Sequence, residues 1–159
     1  MSAIVFDLQG TLIDHNSPPA LFPGARVCLE KLHGKVTLAL VSTGRGLNDI
    51  DSLLKGLKIR HFFQIVFHLK DSQFKKEDGS AFLEISRQLD VLPSYLIVVG
   101  DVPFVDIKGA KLVGATAIRI RQGKYVALEP SNNQEAPDRE IFSLDELPDL
   151  IRKLLPDIS

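Results

Sequence analysis

Four short stretches hold the residue types that phosphoryl chemistry needs. Asp7 ends the apolar run Ala3-Ile4-Val5-Phe6 and is followed by Gln9, Gly10 and Thr11. Ser42-Thr43-Gly44-Arg45 follows a second apolar run, Val36–Val41. Lys76 stands in a polar stretch shortly before Phe82, and Gly100-Asp101-Val102-Pro103-Phe104-Val105-Asp106 follows the run Leu96–Val99. Carboxylates, a hydroxyl and an ammonium brought to one place suit phosphoryl transfer. Asp7 and Asp101 could hold a hard, oxygen-preferring cation such as magnesium (Mg2+). The cation and Lys76 would neutralise phosphate oxygens while a Ser or Thr hydroxyl hydrogen-bonds another. Asp7 could also attack phosphorus as a carboxylate nucleophile, giving an aspartyl-phosphate.

Each residue has a plainer reading beside this one. Asp106 could simply cap the helix that follows it. Lys75 and Lys70 rival Lys76, and most lysines are solvated surface charges. Ser42 and Thr43 compete for one role, the other being a turn residue. Arg45 could contact a substrate phosphate or sit in a salt bridge. Gln9 has no titratable group, so a proton cannot be exchanged there as it would be at a carboxyl.

The elements that must position these residues read as alternating strands and helices. Strand-length apolar runs lie at Ala3–Phe6, Val36–Val41, Ile65–Phe67, Leu96–Val99 and Ala115–Ile120, with a short last strand at Glu140–Phe142. Most are continuous, as expected when both faces of a parallel sheet are covered. Helical spacing joins Ala25, Cys28, Leu29 and Leu32; Leu47, Ile50, Leu54 and Leu57; Phe82, Ile85 and Leu89; and Leu147, Leu150, Ile151 and Leu154. The alternation predicts an α/β fold with a mostly parallel sheet and right-handed crossovers. In such sheets ligands bind beyond the C-terminal ends of strands. Asp7, Ser42-Thr43 and Asp101 all fall just there. The polar stretch from Glu129 to Arg139 reads as a surface loop, and Arg119 and Arg121 as edge or surface charges on one strand.

Bulk properties narrow the classes. A length of 159 residues predicts one domain, 1–159, large enough to bury a core. A formal net charge of −1 predicts no affinity for nucleic acid or for an anionic membrane surface. No apolar run approaches the roughly 20 residues that span a bilayer, and no signal-peptide pattern opens the chain. A cytoplasmic location is the default expectation. Cys28 is the one cysteine, which excludes an internal disulfide, and its place on an apolar helix face reads as a buried structural thiol. His15, His33, His61 and His68 show no metal-ligand spacing, although His15 lies near the turn after Asp7.

Taken in order, the four stretches resemble the motifs of the haloacid dehalogenase-like superfamily, across nearly the whole chain. Asp7-Leu8-Gln9-Gly10-Thr11 is similar to the first motif, and Phe22-Pro23-Gly24-Ala25 to the start of the first core helix. Val41-Ser42 matches one form of the second motif and Thr43-Gly44-Arg45 another. Lys76 matches the third, with Glu77 where a proline often follows. Gly100-Asp101 to Asp106, continuing through Gly109-Ala110 to Val113-Gly114-Ala115, matches the fourth closely. The resemblance implies a Rossmann-like parallel sheet with helices on both faces. It implies Asp7 as nucleophile and Mg2+ ligand, Asp101 as the second carboxylate ligand, Asp106 in support, and Lys76 on the phosphate. Ser42, Thr43 and Gly44 would form the phosphate-binding loop, and the backbone carbonyl of Gln9 would complete the metal site.

One departure concerns rate. Phosphatases of the superfamily carry an Asp where Gln9 stands, and that Asp protonates the leaving group and then activates water. Acid–base catalysis contributes about 10²- to 10⁴-fold, so the resemblance implies a slow phosphatase-like hydrolase. The alternative is a catalytically impaired phosphate-binding or partner-regulating module. A dehalogenase is disfavoured, because the Gly100-Asp101 metal motif suits phosphate chemistry better. A second departure is the absence of room for a cap domain, after Asp7 or between Gly44 and Lys76. An open site of that kind suits a phosphorylated macromolecular substrate, or a homo-oligomer in which a neighbouring subunit covers it.

Overall fold

The computed structural model describes residues 1–158. Five apolar runs form the strands β1 (Ala3–Asp7), β2 (Thr37–Ser42), β3 (Ile65–His68), β4 (Leu96–Gly100) and β5 (Thr116–Ile120), and the largely charged β6 (Arg139–Ile141), one residue earlier than expected, completes the sheet. All pair in parallel, in the order β3-β2-β1-β4-β5-β6. The order reverses between β1 and β4, where the crossovers leave in opposite directions and open a crevice at the carboxyl ends. Asp7 pairs with Val41 of β2, and Phe6 with Val99 of β4. Asp7, Ser42 and Asp101 therefore leave the sheet at nearly one level.

Side-chain alternation divides the core into two layers, one on each sheet face. One face presents Ile4, Phe6, Leu38, Leu40, Ile97 and Ile118 to helices α1 (Ala25–Leu32), α2 (Ile50–Gly56) and α5 (Leu147–Leu154). The other presents the smaller Ala3, Val5, Ala39, Val41, Val98 and Ala117 to α3 (Ser80–Leu89) and α4 (Lys108–Leu112). Small side chains there let α3 and α4 lie close to the sheet. Cys28 faces the first layer, and burial pushes its thiol up to about 12.

Three expectations are corrected. Leu47 lies outside α2, which starts at Ile50. Asp49 caps it by accepting from the Ser52 N–H at 3.1 Å, and Gly44 and Gly46 ahead of it hold positive φ. Arg119 is not an edge charge. It is fully buried on β5, and its guanidinium donates to the carbonyls of Tyr125 (3.1 Å) and Leu128 (2.5 Å). The loop before β6 is not wholly a surface loop either. Glu135 is buried, its carboxylate accepting from the Ser131 N–H. Arg121 does pair as a surface charge, with Glu129 and Glu140. Among the described residues no helix is long and apolar enough to cross a membrane. Residues 8–24 and 43–64 hold turns, short helices and loops but no second domain.

One packing contact bears directly on the crevice. Helix α4 follows a π-helical turn at Pro103–Ile107 and presses its backbone on the loop between β3 and α3. A Cβ on Gly109 would lie 1.7 Å from the Lys76 carbonyl oxygen, so only glycine admits this approach. Gly109→Ala must therefore push α4 and the Lys76 backbone apart, at a cost of about 1–3 kcal/mol. Gly56, exposed at the end of α2 with nothing near its Cβ position, provides the contrast. Gly56→Ala should leave the melting temperature unchanged or raise it, while Gly109→Ala lowers it by several degrees. Equal melting temperatures for the two variants would contradict the contact.

Candidate active site

Asp7 is the last residue of β1, paired with Val41 of β2 while the pairing with β4 ends at Phe6, so its side chain stands at the C-terminal edge of the sheet. The chain then turns sharply. The Leu8 carbonyl accepts from the N–H groups of Thr11, Leu12 and Ile13, whereas the Gln9 carbonyl receives none of the turn's backbone donors. Gly10 has φ +85°, and a Cβ there would lie 2.0 Å from an Asp101 carboxylate oxygen. The turn thus brings β1's end against β4's end. Thr11 Oγ1 donates to Asp7 Oδ2 at 3.3 Å.

Lys76 reaches this place from the loop between β3 and α3. Its ammonium donates to Asp7 Oδ1 at 2.5 Å and to Asp106 Oδ1 at 3.0 Å. Only 4% of Lys76 and 1% of Asp106 are exposed, so the ion pairs are buried. Asp106 is fixed by a second contact, from the Val102 N–H to its Oδ2 at 3.1 Å. It does not cap the following helix from outside; it bridges the turn to Lys76. Asp101 is equally buried, and no N–H or O–H donor reaches either of its oxygens.

Asp7, Asp101 and Asp106 each offer an oxygen within 4.8 Å of the others'. Three carboxylates lie together with one ammonium, which touches two of them, and the electrostatics follow. Burial first, then the charges of Asp7 and Asp106, push Asp101 up to about 10. Burial and Asp7 likewise raise Asp106 to about 6, against the pull of Lys76 and the Val102 N–H. For Lys76, burial alone would lower the pKa, but the charges of Asp106 and Asp7 reverse that and hold it above the usual lysine value. An undonated, buried carboxylate beside two others is a donor set for a hard divalent cation, which accepts several oxygens. Asp7, Asp101 and Asp106 could hold such an ion, with the Gln9 carbonyl beside them.

The remaining expected residues lie at the rim. Ser42 is buried at the end of β2, with its Oγ accepting from the Gly44 N–H at 3.1 Å. Thr43 is exposed and lines, with Gly44, a hollow next to the crevice. Gln9 is half-buried in the turn. Lys75 and Lys70 are exposed, so neither takes the place of Lys76 among the carboxylates. His15 is exposed, its ring 6.2 Å from that of Tyr125. Sequence reasoning missed Gln122, whose side-chain amide donates to the Thr11 carbonyl at 2.8 Å and so fastens the Asp7 turn. A lone glutamine after a strand carries no signal of that contact.

Comparison with known proteins bears on the family and the fold. The family described as haloacid dehalogenase-like hydrolase matches residues 15–120, which include Ser42, Lys76, Asp101 and Asp106 but stop short of Asp7. The chain is 37% identical over 120 residues to a glyceraldehyde 3-phosphate phosphatase of Methanopyrus kandleri, covering 76% of this chain and 51% of the relative. It is 28% identical over 128 residues to a phosphoserine phosphatase of Thermus thermophilus, covering 80% and 49%. The chain spans about half the length of these curated relatives. A crystal structure of an uncharacterized protein from Listeria monocytogenes superposes with a TM-score of 0.81 at 20% identity, covering 98% of this chain and 99% of that one, which establishes the shared fold.

The raised carboxyl groups make stability depend on pH. Between the ordinary Asp value and about 10, folded Asp101 keeps a proton that the unfolded chain has released. Stability therefore falls as pH rises through that window, because the folded state binds more protons. In chelator, the melting temperature should drop between pH 6 and 8.5, and Asp101→Asn should flatten that drop. A wild-type curve as flat as the variant's would contradict the assignment.

Proposed function

The chain belongs to the haloacid dehalogenase-like hydrolases, and from that premise we propose that it is a slow, Mg2+-dependent phosphatase acting through Asp7. The observation that carries this reading is the Lys76 ammonium shared by Asp7 and Asp106, with the undonated carboxylate of Asp101 beside them. Bound by Asp7, Asp101, Asp106 and the Gln9 carbonyl, Mg2+ would supply positive charge against phosphate oxygens.

The chain's own groups account for the rest. Lys76 on Oδ1 and Thr11 on Oδ2 fix the orientation of the Asp7 carboxylate, one oxygen of which is the nucleophile. That oxygen attacks phosphorus, the ester oxygen leaves, and an aspartyl-phosphate forms on Asp7. Water then cleaves it, returning the carboxylate. Ser42 accepts from the Gly44 N–H and keeps its own hydroxyl hydrogen for a phosphate oxygen; its place at the end of β2 favours it over Thr43. Lys76 stabilises charge that builds on the transferring group. By the family's pattern Gln9 stands where an Asp would protonate the leaving oxygen, and an amide cannot do so, so substrates with good leaving groups should react fastest.

Relatives named for glyceraldehyde 3-phosphate and phosphoserine put small phosphorylated metabolites first among candidate substrates. A site with no domain folded over it also suits a phosphate on a larger molecule or a second subunit as its cover. Gln9 itself favours a second reading, a phosphate-binding module that no longer turns over.

The tests separate the two. Wild type should release phosphate from an aryl phosphate in Mg2+, and chelator or Asp7→Asn should abolish the release. Gln9→Asp should raise the rate by about 10²- to 10⁴-fold. Activity that survives Asp7→Asn would remove the aspartyl-phosphate mechanism. Phosphate binding without any release, in wild type and in Gln9→Asp alike, would favour the binding module.

A further inference from the structure

We propose that the substrate carries a second anionic group, a carboxylate or a further phosphate, which seats between Arg45 and Lys70 beside the phosphate site. The inference rests on the phosphatase reading for the phosphate's own position and deepens it by naming the substrate class. Beyond the end of β2 lies a hollow of about 410 Å³. Arg45, Lys70, Asn48 and Thr43 line it, and no carboxylate does. The Cβ position of Gly44 is 3.7 Å from Lys70 Cβ, so the glycine turn and the start of the loop after β3 form its two walls.

Both cations are free. Among the described residues, neither the Arg45 guanidinium nor the Lys70 ammonium makes an ion pair. Every other arginine of the chain donates to a carboxylate or a carbonyl. An unpaired guanidinium and ammonium facing one concavity form a positive field with no internal counter-charge, which an anion completes. The place matters as much as the charge. Asp7 pairs with Val41, and Ser42 with His68, so the loops that carry Arg45 and Lys70 leave the sheet one and two strands from β1. The lateral offset of those strands from β1 is roughly 5–10 Å at the spacing of neighbouring strands. Three-carbon ligands, whose two anionic centres lie roughly 5–7 Å apart, fall in the lower part of that range.

A matched set of ligands tests this. Glycerol 3-phosphate has no second anion, 3-phosphoglycerate replaces its terminal alcohol by a carboxylate, and glycerol 1,3-bisphosphate adds a phosphate. Affinities measured by calorimetry in Mg2+ should favour one or both doubly anionic ligands by about tenfold or more, the scale of charge-assisted hydrogen bonds. Which of the two is preferred identifies the anion. The exposed double substitution Arg45→Gln with Lys70→Gln should keep the wild-type melting temperature and erase that preference. No preference in wild type, no binding of any of the three, or a preference unchanged by the double substitution would each overturn the proposal. Aryl phosphate hydrolysis, assayed in parallel, tests the phosphatase reading separately. Hydrolysis without preference removes only the second subsite, and preference without hydrolysis removes only turnover.

Discussion

Three carboxylates cannot be buried within a few ångströms of one another unless something positive is buried with them, and in this protein that is Lys76. Removing an ionised carboxylate from water costs several kcal/mol even after relaxation, and a like charge nearby adds to it. The ammonium touching Asp7 and Asp106 offsets part of that cost. Asp101 receives no such partner and responds by holding its proton. The residual imbalance leaves three close carboxylates that a divalent cation could neutralise. A site fully neutralised by lysines would be more stable and would bind no metal.

The rest of the architecture serves this electrostatic arrangement. Reversal of strand order between β1 and β4 puts Asp7 and Asp101 on adjacent strands at one level. Lys76 comes from the loop after β3, with β2 and β1 lying between that strand and β4, and must be driven inward to reach Asp106. The bare backbone of Gly109 allows α4 to lie against the Lys76 carbonyl and set its depth. Small residues on that face of the sheet, Ala39, Val41 and Ala117 among them, make the approach of α3 and α4 close enough for the contact.

Much of this was legible in the sequence because continuous apolar runs and chemistry-bearing residues alternate in register. Asp7 and Asp101 could be placed at strand ends because strands announce themselves by composition, whereas Asp106, in the turn beyond β4, was singled out by resemblance. Lys76 was separable from Lys75 and Lys70 only by resemblance, since a lysine's burial depends on long-range packing that no local pattern records. Arg119 was misread for the same reason. An arginine in a strand looks like an edge charge until a distant loop, here at Tyr125 and Leu128, folds back to take its hydrogen bonds. The start of α2 was misread because apolar spacing through Leu47 outweighed the Asp49 cap and the two glycines before it. Gln122 illustrates the limit: a polar side chain bound to a carbonyl more than a hundred positions away leaves no trace in the neighbouring residues.

That segment after β5 also makes the two banks of the crevice mechanically unequal. On one bank, Arg119 ties the backbone at Tyr125 and Leu128 from beneath, and Gln122 ties it to the Asp7 turn. On the other, the Gly44 and Arg45 amides are given only to the hydroxyls of Ser42 and Thr43, within the same short loop. Ligand binding should therefore draw its ordering entropy almost wholly from the β2 bank. The β5 bank acts as a fixed reference surface, against which the length of whatever enters is measured.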